Sequence, residues 1–124
     1  VLRISDLTYL VRDLDEAITF FVDALGFEVR SDEVSPGRRR VVVGPDGGGP
    51  GLVLKPAPSS PQVGRQADGG VLFFLHTDDF DATYARLAAH GVTFREEPRH
   101  EPWGTVVVFE DLYGQPWDLI QPLA

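Results

Sequence analysis

The chain of 124 residues contains no cysteine, which excludes disulfide bonds and thiol chemistry and leaves its redox compartment undetermined. It also lacks any apolar run near the roughly 20 residues that cross a bilayer, and no charged-then-apolar leader opens it. The expectation from these absences is a soluble, cytoplasmic protein. Cationic side chains are scarce: 11 Lys and Arg stand against 19 Asp and Glu, for a formal net charge of −8. Such a balance argues against nucleic acid or an anionic membrane as the main partner. It favours cationic ligands through long-range attraction, although a solvated acidic surface serves solubility equally well. Signals for covalent catalysis are also missing. No serine or threonine sits in a nucleophile elbow. The glycine-rich stretch from Gly47 to Gly51 has no Lys-Ser or Lys-Thr and opens no helix, so it is not a phosphate-binding loop.

What is present is a repeat. Leu7 to Val29 runs from an apolar, strand-like segment through Asp13-Leu14-Asp15 and an amphipathic stretch to Leu25-Gly26-Phe27. Val71 to Phe94 does the same through Asp79-Phe80-Asp81 to Gly91-Val92-Thr93-Phe94. Asp79 lies 66 residues after Asp13, and Gly91 lies 65 after Gly26. Two matched units in one short chain imply a duplicated module with a pseudo-twofold cleft. A chain of this length buries roughly two-thirds of its unfolded surface, so residues 1–124 are expected as one domain. Its parts are a first module over 1–56, a linker rich in Pro, Ser, Gly and Gln over 57–70, and a second module over 71–124.

Periodicity assigns the elements. Ile4 to Val11 alternates as a half-buried strand does, and Asp13 or Asp15 can cap the helix that follows. Ala17, Ile18, Phe20, Phe21, Ala24 and Leu25 form one apolar helical face ending at Gly26. Phe27 to Val34, Arg39 to Val43 and Leu52 to Lys55 read as strands, the first two joined by Ser35-Pro36-Gly37. In the second unit Val71 to His76 is apolar enough for a central strand, and Thr77 or Asp78 can cap a helix reaching His90. Val92 to Glu97, Thr105 to Glu110 and Pro116 to Gln121 complete it. The fold class is therefore α+β: two tandem βαβββ modules forming one curved mixed β-sheet around a cleft, with the helices on the outer face.

The run Val11-Arg12-Asp13-Leu14-Asp15-Glu16-Ala17, the Leu25-Gly26-Phe27 step and the ending Glu110-Asp111-Leu112-Tyr113-Gly114-Gln115-Pro116-Trp117-Asp118-Leu119 resemble the vicinal oxygen chelate superfamily. That superfamily includes glyoxalase I, extradiol dioxygenases and the fosfomycin and bleomycin resistance proteins. Glu101-Pro102-Trp103-Gly104 is similar to the small glyoxalase-like and bleomycin-binding members, with Trp103 either packing as a turn anchor or lining a ligand. Order and spacing together are specific to the fold and much less so to an activity. The resemblance implies a divalent metal held by His or Gln, Glu, His and Glu. Carried over, these positions fall on Asp6, Gly51, Leu72 and Asp118. Gly51 and Leu72 have no ligating side chain, and a firm octahedral site needs at least three protein ligands. No metal or other cofactor is expected on this count. His76, sharing a strand face with Leu72 and Phe74, could still join Asp118 and Asp6 in a displaced site.

The leading expectation is a metal-independent member that binds a small, partly aromatic or cationic molecule. The walls of its cleft would be Asp6, Thr8, Leu72, Phe74, His76, Trp103 and Asp118. No catalytic residue is assigned. The alternative is an enzyme, a metal-dependent lyase, isomerase or dioxygenase on a displaced metal site; a third reading is a dimer module without ligand. The resemblance implies a homodimer, and leaves open whether the cleft lies within one chain or is shared between chains. His90 reads as a helix-end residue facing unpaired carbonyls, and His100 as a rim residue of the cleft. Arg38-Arg39-Arg40 opens a strand and reads as a solvated edge.

Overall fold

The two repeated aspartates each start a helix. In the computed structural model, which describes residues 1–123, Asp13 is extended and its carboxylate accepts from the Glu16 amide at 3.0 Å. Asp79 does the same for the Ala82 amide at 3.1 Å. These are N-caps, and they begin α1 (Leu14–Asp23) and α2 (Phe80–Ala89) by satisfying amides that have no partner within the helix. Thr77 or Asp78 was expected at the second cap. Instead the Thr77 hydroxyl accepts from the Asp79 amide at 3.1 Å and bonds to the Thr83 hydroxyl at 2.9 Å. It is the Asp79 carboxylate that reaches the third helical amide, that of Ala82. Both helices stop at a glycine in the left-handed region, Gly26 at φ 69° and Gly91 at φ 73°, a conformation costly for residues with a Cβ. His90 caps α2, its Nδ1 lying 2.9 Å from the Arg86 carbonyl oxygen.

The chain divides into two compact units, Val1–Val63 and one beginning at Gly64. In the first, β1 (Asp6–Val11), β2 (Glu28–Ser35), β3 (Arg38–Gly44) and β4 (Gly51–Pro56) form a mixed sheet in the order β1-β4-β3-β2. β1 and β4 run parallel, and the other neighbours are antiparallel. Alternation sends Tyr9 and Val11, both fully buried, to the side of α1, where the Phe21 ring meets Tyr9 edge-on at 5.9 Å and stacks on Phe27 at 5.5 Å.

The second unit contains β5 (Phe73–His76), β6 (Thr93–Phe94), β7 (Arg99–Glu101), β8 (Gly104–Glu110) and β9 (Pro116–Pro122), ordered β5-β9-β8-β6 with β7 also on β8. Strand hydrogen bonding thus resolves the expected curved sheet into two mixed sheets, one per unit. Three assignments change. The apolar run of Val71 to His76 is an edge strand, paired among the described residues with β9, and its residues are part-exposed or exposed; hydrophobicity alone sets neither burial nor rank in a sheet. Val92 to Glu97 contributes only the two ladder residues of β6, because two prolines and a turn follow within nine residues. β7 is new: its Arg-His-Glu sequence hides the alternation that identifies a strand.

The linker is a series of hydrogen-bonded turns, with Ser60, Val63, Asp68 and Gly70 amides each donating three residues back. Within the second unit the Gln66 amide donates to Gln115 Oε1 at 2.8 Å. Asp111 and Gln115 are the buried polar residues. Asp111 Oδ1 accepts from the Tyr113 and Gln115 amides at 2.9 and 3.1 Å, and Oδ2 accepts from Trp117 Nε1 at 3.1 Å. This turn delivers the chain into β9. Among the described residues no helix is long and apolar enough to cross a membrane.

Candidate functional site

In the second unit, Phe73 and Phe109 pack their rings on Trp117 at 5.0 and 5.9 Å, and Phe94, in register with Phe109, stacks on Tyr84 of α2 at 4.3 Å. These residues define the helix side. By alternation Phe74, His76 and Asp118 project from the opposite face. Phe74 is directly opposite Asp118 in the parallel β5–β9 pair. A phenylalanine ring 65 % exposed beside an acid is not core packing. It is an exposed apolar ring with a carboxylate beside it.

Arg99, in register with Val106, and Asp118, in register with Val108, share this face. The guanidinium bonds Glu96 through Nε at 2.8 and 2.9 Å and Glu101 through Nη1 at 2.8 Å. Those hydrogen bonds, Glu96 first, raise the Arg99 pKa. With Arg99 so occupied, no side chain among the described residues hydrogen-bonds the Asp118 carboxylate. Its pKa is raised, chiefly by partial burial, with Arg99's charge opposing and Glu96's adding to the shift.

The sign of this shift gives a pH dependence. The folded chain holds the Asp118 proton more tightly than the unfolded chain, so the contribution to stability is present at low pH and is lost as pH rises through the folded pKa. Asp118→Asn should therefore raise the urea midpoint at pH 7, and the gain should disappear below about pH 3.5, under the ordinary aspartate range. An equal gain at both pH values would show that ionisation at Asp118 is not the cause.

In the first unit the face away from α1 carries Asp6, in register with Gly51, and Thr8, in register with Val53. Asp6 pairs with Arg40 at 3.9 Å, a half-exposed contact of small energetic weight, and Thr8 is exposed. The repeat makes Asp6 the counterpart of Leu72 and Thr8 that of Phe74. Val53 then stands to Thr8 as Asp118 stands to Phe74. The counterpart of Asp118 is therefore Val53, two residues beyond Gly51, the position on which the resemblance places the family's second ligand. Gly44 to Gly51 offered no apolar pattern to fix the register.

Gly51, Val53 and Leu72 have no side-chain donor to offer a metal. A Cβ built at Gly51 would lie 2.7 Å from Val42 Cγ1 and 2.9 Å from Asp6 Oδ1, so a larger side chain there forces its neighbours to move. Leu72, whose amide donates to the Pro116 carbonyl at 3.2 Å, presents only hydrocarbon. Among the described residues no group of three or more His, Asp or Glu side chains is placed to hold a metal ion. The residues at the family's ligand positions do not fit its metal centre.

His76 ends β5 and is exposed, in register with Ile120. Trp103 lies in the Pro102-Trp103 turn between β7 and β8 as expected; its carbonyl accepts from the Leu123 amide at 3.0 Å. Its side chain is 51 % exposed, so within this unit it is not a packed anchor. His100, expected at the cleft rim, lies instead on the α2 side of the sheet with Nδ1 3.2 Å from the Thr105 hydroxyl. The ion-paired set of Arg99, Glu96 and Glu101 escaped the sequence reading. The one signal was its alternation around His100, visible only once β7 is known to be a strand.

Two units, each with one helix after its first strand and a mixed sheet of parallel and antiparallel pairs, define a glyoxalase-type scaffold. The chain belongs to the Glyoxalase/Bleomycin resistance protein/Dioxygenase superfamily, whose family model matches residues 3–119. It is 41 % identical over 124 residues to an uncharacterized protein of Shewanella frigidimarina (strain NCIMB 400), spanning 95 % of this chain and 92 % of that one. Among solved structures it is similar to TnmS3, an antibiotic binding protein from Streptomyces sp. CB03234, with a TM-score of 0.79 and 31 % identity over 99 % of this chain and 98 % of that one. UcmS2 gives a TM-score of 0.79 at 35 % identity, over 97 % and 98 %.

Proposed function

We propose that this protein binds a small organic molecule with an aromatic body and a hydrogen-bond donor or cationic group, and does so without a metal. The observation that carries the reading is the exposed Phe74 ring in register with Asp118. The ring offers a stacking surface and the carboxylate an acceptor without a side-chain partner, so a ligand bringing both an aromatic face and a donor satisfies each at once. The antibiotic-binding neighbour TnmS3 supports a ligand of this size class. Leu72, His76 and Trp103 would extend the surface in the second unit, and Asp6 and Thr8 are their candidates in the first.

Titration with bleomycin and with a planar aromatic cation such as ethidium, followed by Trp fluorescence, tests the reading. At least one should bind, and Phe74→Ala should weaken it about tenfold, which corresponds to about 1.4 kcal/mol. Asp118→Asn should weaken the cation more than a neutral planar compound. Unchanged fluorescence at millimolar concentrations of both ligands, or binding indifferent to both substitutions, would sink the proposal.

A further inference from the structure

We infer that the second unit carries another small-molecule site, on the α2 side of its sheet and separate from the Phe74–Asp118 face, which takes a small organic cation with an apolar body. A recess of about 600 Å³ opens there between α2, β7 and the end of β9, within the range of ligand cavities. Its wall is rigid. Tyr84 is stacked against Phe80 at 5.9 Å and against Phe94 at 4.3 Å, which fixes its ring, and Pro98 and Pro122 add apolar surface with little conformational freedom.

The polar groups are also held in place. His100 and Thr105 face each other across β7 and β8, and their side chains meet at 3.2 Å through Nδ1 and Oγ1. That contact orients the imidazole and leaves Nε2 for another partner. Gln121 Oε1 accepts from the Phe80 amide at 2.7 Å, which fixes the side-chain amide at the edge of the recess.

Charge decides the class of occupant. Asp78, Asp79 and Asp81 line the recess and no Lys or Arg does. Asp79 is committed to capping Ala82, so Asp78 and Asp81 are the carboxylates open to a ligand. Acidic residues at a helix start are common in themselves, since they offset the helix dipole. What distinguishes this place is a recess of ligand size, with a clamped aromatic wall and an oriented His100–Thr105 pair, beneath them. An anion entering it meets three carboxylates against a single imidazole. An amine meets the exposed carboxylates of Asp78 and Asp81, while Phe80, Tyr84, Pro98, Pro122 and Leu123 offer hydrocarbon to its apolar end, an arrangement that desolvates the apolar end while leaving the charge near water.

Benzylamine is a suitable probe, with benzyl alcohol as the neutral isostere and benzoate as the anion, each titrated into the full chain and followed by amide and imidazole chemical shifts in NMR. Benzylamine should shift His100, Thr105 and Ala82 with a dissociation constant on the order of a millimolar, as expected for so few heavy atoms. Benzyl alcohol should bind at least about tenfold more weakly, benzoate should not bind, and Asp78→Asn with Asp81→Asn should weaken benzylamine about tenfold. Both aspartates are exposed, so the double variant keeps the fold. Phe74→Ala with Asp118→Asn should leave these shifts unchanged, which separates this site from the proposed ligand face. Equal binding of all three probes, no shift at 10 mM benzylamine (about tenfold above the expected constant), or loss of the shifts in the Phe74 and Asp118 variant would each overturn the inference.

Discussion

Phe21→Ala is expected to lower the free energy of unfolding by about 4 kcal/mol, in the range of large-to-small changes at fully buried aromatics. Phe21 has no exposed surface, and its ring contacts three others: Tyr9 at 5.9 Å, Phe20 at 5.6 Å and Phe27 at 5.5 Å. Tyr9 comes from β1 and Phe27 from the step into β2, so one ring joins the helix to both. Truncation removes the contacts from all three and leaves a cavity that the sheet cannot close. Phe21→Leu, which keeps most of the volume, should cost under about 1.5 kcal/mol. Urea unfolding followed by circular dichroism measures both. A loss below about 1 kcal/mol for the alanine variant would mean that the first unit derives little of its stability from this cluster.

Asp111→Ala should cost about 3 kcal/mol, by a different mechanism. The carboxylate is 5 % exposed and accepts from two amides and from the Trp117 indole. Removing it leaves buried donors unpaired, and each such group carries a penalty of about 1–3 kcal/mol unless water reaches it. Because the turn over Asp111 to Gln115 sets the entry into β9, the variant should also disturb Asp118 and weaken any ligand at the Phe74 face. Near-ultraviolet circular dichroism of Trp117 beside a urea titration separates the local from the global effect. Asp111→Asn, which keeps one acceptor oxygen for the two amides but turns an NH2 donor toward the Trp117 indole, should recover only part of the loss. Full stability in the alanine variant would show that backbone turn geometry alone holds this corner.

Much of the architecture was legible because the signals are local. Asp13 caps α1 as its position suggests, the second cap falls on Asp79 just beyond the expected Thr77 or Asp78, and Gly26 and Gly91 end the helices in a conformation that nearly requires glycine. The strands of the first unit lie within two residues of their expected bounds. Legibility failed where the physics is not local. β7 was invisible because Arg99, His100 and Glu101 gain strand geometry from pairing with β8, and nothing in their own propensity favours it. Val71 to His76 looked central because its hydrophobicity is that of a buried strand.

The candidate site divides along the same line. That Gly51 and Leu72 offer no metal ligand is a matter of residue identity, and the sequence determined it outright: no fold supplies a donor to a side chain that has none. The same holds for the excess of acidic residues and for the duplicated helix–glycine pattern. Tertiary structure alone decided that Phe74 meets Asp118, that Val53 and not Gly51 is the counterpart of Asp118, and that His100 turns toward α2. Each of these depends on strand register and on which face a residue presents. A shift of one residue reverses the face, and register is set by partners distant in the chain.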